Sequence, residues 1–360
     1  MQDAAITQPI HLIKGRGSAT RLAHRFEKDE REPFDDGWAV DAEEATRIAT
    51  TWTWEDAKSA ISRNASPDIG FDLSINPYRG CEHGCSYCYA RPSHSYLGLS
   101  PGLDFETRLI AKRGLVDRLQ HELASPRYKP GLMALGTITD AYQPLDRELR
   151  LTREVLQVLH DCHHPMAVVT KGSGIERDID LLAPMAARGQ AGVYVSVTTL
   201  DADLARRMEP RAAAPWRRLR TIRTLVDAGI PVGVSVSPQI PFINDDMEQV
   251  LEAARDAGAS SAFYVVLRLP WELSPLFRQW LDIHYPDRAA RVMARMHDLR
   301  GGKDYDASFA TRRSGQGIWA DLIAQRFGKA CRRLGLNRMR HDWNVQDFRS
   351  PSVGGQMGLF

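Results

Sequence analysis

The sequence predicts an α/β protein built on an incomplete (β/α)6 barrel, and three observations support this fold. From residue 71 onward, short β-rich runs alternate with amphipathic helical segments. Six such runs occur, and this regular alternation is typical of a parallel sheet with right-handed crossovers. Polar side chains follow several of the runs, as expected for a barrel whose functional groups collect at the C-terminal ends of its strands.

The predicted elements follow one another in a simple order. The six predicted strands are residues 71–75, 132–137, 167–170, 192–198, 232–237 and 262–267. Apolar residues at helical spacing predict helices over residues 149–159, 175–187, 216–228 and 247–257. These strands and helices place the barrel within residues 66–272.

The segments on either side of this core have a different character. Residues 1–65 are polar and interrupted by Gly, Asp and Pro, so we expect an N-terminal extension that wraps the core. Residues 273–348 have helical character and are rich in Arg, Trp and His, which predicts a cap over the open side of the barrel. Within this cap, Arg312 and Arg313 are candidates to face a polyanion. We expect residues 349–360 to form a flexible tail.

Length, hydropathy and charge favour an enzyme of the cytoplasm. A chain of 360 residues with 43% hydrophobic content can bury a large core. The first residues lack a basic-then-apolar leader, and no run of about eighteen apolar residues occurs. The formal net charge of +2 does not by itself indicate a polyanionic partner, although arginines cluster within residues 206–223 and 332–340.

Three cysteines dominate the functional interpretation. Cys81, Cys85 and Cys88 have the spacing C-x3-C-x2-C in the loop that follows the first predicted strand. Three thiolates on one short loop can bind three irons of a [4Fe–4S] cluster and leave the fourth iron open to another ligand. The alternatives are a zinc site with His83 as fourth ligand, and inert thiols. A disulfide framework fits five sparse cysteines less well.

The cysteine spacing, with an aromatic residue before the third cysteine, resembles the signature of radical S-adenosylmethionine (SAM) enzymes. Further segments resemble the spore-photoproduct-lyase-like branch, including bacterial members of unassigned function: ARPSH (90–94), GLDFE (102–106), GTITDAYQP (136–144), VTK (169–171), VSVT (195–198) and MEPR (208–211). The resemblance covers about residues 60–345. It implies a partial barrel of the radical SAM type, a [4Fe–4S] cluster whose open iron chelates SAM, and reductive cleavage of SAM to a 5′-deoxyadenosyl radical.

The resemblance also implies roles for individual side chains. The three cysteines would bind iron, and seven residues would contact SAM or complete its site: Tyr87 (beside the adenine), Thr139, Asp140, Lys171, Ser196, Glu209 and Arg218. Thr139 falls where the family contacts the SAM amino group, and Lys171 and Ser196 fall where it holds the carboxylate or ribose. Glu209 and Arg218 would form a charged rim, with pairing of Arg218 on a helix surface as the alternative.

One position departs from the lyase pattern. Thr137 stands where spore photoproduct lyase has the cysteine that returns a hydrogen atom to the substrate radical, and a threonine O–H bond is too strong for that role. The other candidates to donate a hydrogen atom or carry a radical are Cys162, Cys331, Tyr89, Tyr142 and Tyr264, for each of which packing is the simpler explanation. Two cysteines outside the loop are too few for a second all-cysteine cluster.

The resemblance finally indicates partners. A lyase-like reaction implies a nucleic-acid substrate, and reduction requires an electron donor such as flavodoxin or ferredoxin. The terminal residues Gln356, Met357, Leu359 and Phe360 resemble the Q-L-x-L-F peptide by which bacterial DNA polymerases and repair proteins dock on the sliding clamp. A tail folded back on the barrel is the alternative. Other functions left open are radical modification of a small molecule or protein, and a non-catalytic iron–sulfur sensor or DNA-repair accessory protein.

Overall fold

The computed structural model describes residues 13–27, 48–339 and 342–352. Its strands in chain order are β1 (Thr51–Asp56), β2 (Ser62–Arg63), β3 (Leu73–Ile75), β4 (Tyr78–Arg79), β5 (Arg108–Arg113), β6 (Met133–Leu135), β7 (Met166–Thr170), β8 (Ala191–Ser196), β9 (Val232–Ser235) and β10 (Ser261–Phe263). Its α-helices are α1 (Asp104–Thr107), α2 (Leu115–Leu123), α3 (Asp146–Leu149), α4 (Leu151–Asp161), α5 (Ile179–Ala187), α6 (Ala202–Met208), α7 (Pro215–Asp227), α8 (Met247–Asp256), α9 (Leu273–His284), α10 (Pro286–Leu299) and α11 (Gly317–Leu334).

The main sheet confirms the predicted α/β class. Six parallel strands lie in the order β10-β9-β8-β7-β6-β3, and β2 pairs antiparallel with β3 at one end. Each of the six strands predicted from the sequence overlaps one of these six parallel strands. Within the described residues the sheet stays open, with β2 and β10 as its edges. The strands end earlier than predicted at β6, β8, β9 and β10, and the chain beyond them forms loops around a cavity.

The apolar core lies between this sheet and the helices that connect its strands. Strands β7, β8 and β9 are almost wholly buried, which accounts for their nearly continuous apolar sequences. In α4 the buried residues Val155, Leu156 and Leu159 recur at helical spacing and face the sheet. Two predicted helices are interrupted: residues 149–159 divide at Arg150, which has a left-handed backbone, and residues 173–178 form a 3₁₀ turn before α5.

A second, three-stranded sheet was not anticipated. Strand β1 pairs in parallel with β5, and β4 pairs antiparallel with β5. No side chain of β1 is fully buried, so its sequence lacks the apolar alternation that identifies a strand. Backbone pairing with β5 defines this strand, and that pairing joins residues far apart in sequence. The predicted extension of residues 1–65 therefore contains a strand.

The predicted cap consists of α9, α10 and α11, whereas residues 300–316 between the last two form a loop. In the described part of the chain, no helix combines the length and hydrophobicity that a membrane crossing requires. The predicted tail begins with an ordered contact, because the backbone nitrogen of Arg349 donates to the carbonyl of Cys162 over 2.8 Å. The clamp-type residues Gln356, Met357, Leu359 and Phe360 lie outside the described residues.

Candidate functional site

A cavity of about 290 Å³ lies at the C-terminal ends of the parallel strands. The cysteine loop after β3 contributes one wall, and the segments that end or follow β6, β7, β8, β9 and β10 contribute the others. The residues of this cavity that bear on function are Cys81, His83, Cys85, Tyr87, Cys88, Tyr89, Thr137, Thr139, Asp140, Lys171, Ser196, Arg268 and Arg313. The fold therefore brings the three cysteines together with Tyr87, Thr139, Asp140, Lys171 and Ser196, as the sequence predicts.

The three thiols face this shared space with little exposure to solvent. Cys81 and Cys85 are buried, and Cys88 is partly buried. Burial raises the pKa of the Cys85 thiol to about 12, with a contribution from Glu209, whereas the Lys171 charge opposes the rise. Burial also raises the pKa of Cys81 well above its usual value. Without iron, Cys81 and Cys85 are therefore thiols, and binding of iron would displace their protons.

The cysteine loop is held by a buried arginine that sequence reasoning did not assign. Arg91 donates to the carbonyls of Cys85 (2.9 Å) and Gly84 (3.0 Å), and its guanidinium pairs with Glu106 at 3.0 Å. Gly84 has a left-handed backbone, and a Cβ atom there would collide with the Glu106 carboxylate. Gly17 packs so closely on Gly84 that a Cβ would overlap its carbonyl. Arg91 and Glu106 both fall in the resembling segments, which was the one available signal.

The donor set suits a [4Fe–4S] cluster better than a zinc ion. His83, the fourth ligand in the zinc alternative, instead places its Nδ1 3.3 Å from the Asp140 carboxylate. Among the described residues, no three His, Cys, Asp or Glu side chains converge on a point that one metal ion could occupy. A cluster needs no such convergence, because its irons occupy separate corners and each takes one thiolate.

Asp140 organises the ends of two adjacent strands. One carboxylate oxygen accepts from the Thr170 hydroxyl (2.6 Å) and the Tyr142 backbone nitrogen (2.9 Å), and the other accepts from the Lys171 backbone nitrogen (2.7 Å). Burial raises the pKa of Asp140, but the His83 charge and these hydrogen bonds outweigh it and hold the pKa well below its usual range. Asp140 therefore stays ionised and positions the backbone that carries Lys171.

Lys171 supplies a partly buried positive charge at the cavity wall. Its Nζ lies 5.7 Å from the centroid of the Tyr87 ring. Burial lowers the pKa of Lys171, but the negative charge that Cys85 gains when it loses its proton and the charge of Glu209 raise it more, so the ammonium remains protonated. Ser196 and Thr139 are buried and line the same cavity, with the Thr139 hydroxyl donating to the carbonyl of Tyr78 over 3.2 Å. Contact of these residues with SAM stays a prediction.

Glu209 and Arg218 form a buried ion pair behind the cavity wall instead of an exposed rim or a pair on a helix surface, and their contact with SAM stays a prediction. Each residue is only 2% exposed, and neither lines the cavity. Arg218 also donates to the carbonyl of Ser196 over 3.0 Å, and the Tyr87 hydroxyl donates to Glu209. Burial raises the pKa of Glu209, but the charges of Arg218 and Lys171 and two hydrogen bonds lower it to about 2. The pair thus anchors two wall residues, Tyr87 and Ser196.

The three candidate tyrosines, Tyr89, Tyr142 and Tyr264, differ in their position relative to the cavity. Tyr142 donates to Asp178 over 3.1 Å, and Tyr264 packs against Phe327 with 4.8 Å between ring centroids. Neither Tyr142 nor Tyr264 lines the cavity, so their positions do not support a catalytic role. Tyr89 does line it, and its hydroxyl donates to the carbonyl of Thr137.

The two cysteines outside the loop are also remote from the site. Cys162 and Cys331 are buried in the main apolar core among residues of the sheet and its covering helices. Neither contributes to the cavity wall. A packing role accounts for both, as the sequence analysis expects.

Comparison with other proteins places this architecture in a family. The radical SAM superfamily matches residues 75–255. Uncharacterized proteins of Mycobacterium bovis and Mycobacterium tuberculosis are each 34% identical over 239 residues, which cover 65% of this chain and 70% of theirs. An uncharacterized protein of Methanocaldococcus jannaschii is 25% identical over 231 residues, 64% of this chain and 82% of its own.

Solved structures show the same fold. A mutant of spore photoproduct lyase with bound AdoMet and dinucleoside spore photoproduct has a TM-score of 0.51 and 15% sequence identity, and the match covers 79% of this chain and 78% of that one. At this identity the likeness concerns the fold alone. Because the family match spans half of the chain and includes the three cysteines, the protein belongs to the radical SAM superfamily of enzymes, whose members bind a [4Fe–4S] cluster and S-adenosylmethionine.

Proposed function

We propose that this enzyme abstracts a hydrogen atom from a nucleic-acid substrate. The observation that carries the radical chemistry is the convergence of three thiols, the Lys171 ammonium group and the hydroxyls of Thr139 and Ser196 on one cavity at the strand ends. The lyase of the same fold, solved with a dinucleoside photoproduct, supports a nucleic-acid substrate. So does the Tyr89 ring, which is 45% exposed and can stack on a base.

The residues of the cavity divide between cofactor and substrate. Cys81, Cys85 and Cys88 would hold the cluster, and Lys171 and Ser196 would bind the charged and hydroxyl groups of SAM. With one electron from a donor such as flavodoxin or ferredoxin, the bound cofactors supply a 5′-deoxyadenosyl radical that takes a hydrogen atom from the substrate. The protein orients both partners and shields the site from water.

Tyr89 is the side chain best placed to handle a hydrogen atom during turnover. Thr137, at the position of the lyase cysteine, accepts a hydrogen bond on its hydroxyl oxygen from the side-chain amide nitrogen of Asn76 over 3.4 Å. The Tyr89 hydroxyl reaches the backbone of the same residue, and a phenolic O–H bond is much weaker than that of threonine. Tyr89 thus replaces Tyr142 and Tyr264 as the candidate donor.

Cleavage of SAM is tested under anaerobic conditions. The protein is reconstituted with iron and sulfide, reduced with dithionite and given SAM, and 5′-deoxyadenosine is quantified. The variant with Cys81, Cys85 and Cys88 changed to Ala is compared with Cys162→Ala, which removes a buried cysteine outside the cavity. We expect product from the wild type and Cys162→Ala only.

Other results would point to other functions. A cluster whose spectrum is blind to SAM would contradict the proposal and favour the iron–sulfur sensor. If the wild type cleaves SAM, single-stranded and duplex oligonucleotides are then screened for altered bases. Deuterium transfer from the oligonucleotide into 5′-deoxyadenosine would identify the atom attacked. Transfer only from peptides or small metabolites would contradict the nucleic-acid assignment.

A further inference from the structure

Two arginines at the mouth of the cavity have positive charge without a matching carboxylate. Arg268 follows β10, and its guanidinium lies over the Tyr89 ring, 4.4 Å from the centroid. Arg268 forms no ion pair within the described part of the chain. Arg313, in the loop between α10 and α11, donates to the backbone carbonyl of Asp68 and forms no ion pair with a described residue. Both side chains are partly buried and line the cavity.

The acidic groups nearby are already occupied. Both oxygens of the Asp68 carboxylate accept from the Arg312 guanidinium, from its Nε at 2.7 Å and one Nη at 2.6 Å. Asp140 is the one carboxylate among the described cavity residues, and its oxygens accept hydrogen bonds from the protein. Burial lowers the pKa of Arg313, and the adjacent Arg268 charge lowers it further while Asp68 opposes the shift. The two guanidinium groups therefore line the same cavity, and their like charges oppose each other.

A third arginine holds these two in place. Arg300 is fully buried and donates to the carbonyls of Val266 and Leu267 on one side and of Thr311 and Arg312 on the other. These carbonyls immediately precede Arg268 and Arg313. The backbone nitrogen of Val266 also donates to the carbonyl of Arg313 over 2.8 Å. The backbone segments that carry the two arginines are therefore held in place by hydrogen bonds. This lowers the conformational entropy that the arginines lose when they bind a ligand.

We propose that Arg268 and Arg313 form a binding subsite for a phosphodiester group of the substrate. The inference rests on the proposed function and specifies its substrate class. Together, two guanidinium groups have more N–H donors than a single carboxylate ligand could accept. Their planar pairs of donors match the oxygens of a phosphate group. The subsite is distinct from Lys171, which follows β7, because β8 and β9 lie between β7 and β10 in the sheet.

The position of Tyr89 supports the same assignment. Its ring packs on Arg268, and its hydroxyl donates to the carbonyl of Thr137, two residues after β6. A base stacked on the free part of this ring would bring its phosphate next to the arginines. The nucleotide would then lie between the cysteine loop and β10, the strand at the open edge of the sheet.

Binding of a fluorescein-labelled tetrathymidylate to the reconstituted protein with SAM, followed by fluorescence anisotropy, tests the proposal. We expect Arg268→Gln and Arg313→Gln each to weaken binding roughly tenfold or more, since each removes a charged donor from a phosphate. Each should also lower the log–log salt slope by about one. Arg220→Gln, the same change on an exposed side chain of α7, should bind as the wild type does.

A competition experiment on the wild type remains valid even if a variant fails to fold. Unlabelled thymidine dinucleotide should displace the probe, whereas the same dinucleotide with an uncharged methylphosphonate linkage should not. Equal competition by the two, or displacement by N-acetyl-aspartate at the dinucleotide's concentration, would overturn the phosphodiester subsite. Formation of 5′-deoxyadenosine by the wild type without oligonucleotide is a separate readout. Absence of 5′-deoxyadenosine together with a cluster spectrum unchanged by SAM refutes the radical function, whereas failure of competition alone refutes only the subsite.

Discussion

Replacement of Glu209 by Gln measures what the buried ion pair between Glu209 and Arg218, behind the cavity wall, contributes to stability. The variant keeps the shape of the side chain but leaves the Arg218 guanidinium without a counter-charge. Arg218 is 2% exposed, so water cannot replace the lost carboxylate. Its other acceptors are the carbonyls of Ala213 and Ser196, at 2.6 and 3.0 Å, and they carry no formal charge. We expect a large loss of stability from a single neutral substitution.

Two independent considerations set the size of that loss. Removing one partner of a buried pair costs about 3–5 kcal/mol of unfolding free energy. The pKa of Glu209 falls from 4.5 to about 2 on folding, and a shift of this size corresponds to about 3 kcal/mol. The two figures agree, although part of the second comes from Lys171 and the Tyr87 and Thr198 hydrogen bonds.

The same linkage predicts a pH dependence with a definite sign. Because folding lowers the pKa of Glu209, its contribution is fully present above pH 4.5 and is lost as the pH falls toward 2. The difference in unfolding free energy between wild type and Glu209→Gln should therefore fall to about half its neutral value near pH 3. The variant lacks the titrating group, so the comparison cancels the other carboxyls.

Urea denaturation of the cluster-free proteins under reducing conditions, followed by tryptophan fluorescence at pH 7 and pH 3, measures both effects. Glu248→Gln is the matched control, because it breaks an ion pair with Arg326 whose side chains are 31% and 37% exposed. We expect that control to cost less than about 1 kcal/mol. A cost for Glu209→Gln no larger than the control, or a difference independent of pH, would refute the reasoning.

The remaining predictions concern the cysteine loop, the hydrogen donor and the tail. Arg91→Met should lower the iron bound per protein at least twofold, since the loop carbonyls lose their buried donor, whereas the exposed Arg113→Met should retain it; equal iron contents would contradict the role. Tyr89→Phe should lower modified product per 5′-deoxyadenosine about tenfold, whereas Tyr264→Phe should not, and matching ratios would exclude Tyr89 as donor. Phe360→Ala should abolish binding to an immobilised sliding clamp; unchanged affinity would exclude the docking peptide.

Much of the cofactor site could be predicted because its signals are local in sequence. Three cysteines within eight residues define a cluster loop whatever surrounds them. Strand and helix periodicity placed that loop after the first strand, and the parallel arrangement then brought Lys171 and Ser196 to the same edge. In a parallel sheet the strand ends meet by geometry, so the order of elements is sufficient to predict this proximity.

Other parts of the site had no local signal. Glu209 and Arg218 are recognisable in the sequence as two opposite charges. Whether they form an exposed rim or a buried ion pair depends on the residues that pack over them, and the sequence around the two residues does not show this. Tyr89 and Tyr142 are equivalent in sequence, and only their surroundings separate a cavity tyrosine from one bonded to Asp178. Strand β1 could not be predicted because none of its side chains is fully buried and its sequence lacks the apolar alternation of a strand.

The sequence by itself determined the α/β class, the six parallel strands, the cluster loop and the superfamily. These depend on spacing and periodicity, which are written along the chain. The tertiary structure alone decided which charges are free and which are neutralised. Arg312 and Arg313 are neighbours in sequence, yet one is bound to the Asp68 carboxylate and the other faces the cavity beside Arg268. That difference arises from contacts between residues more than two hundred positions apart, which no local pattern encodes.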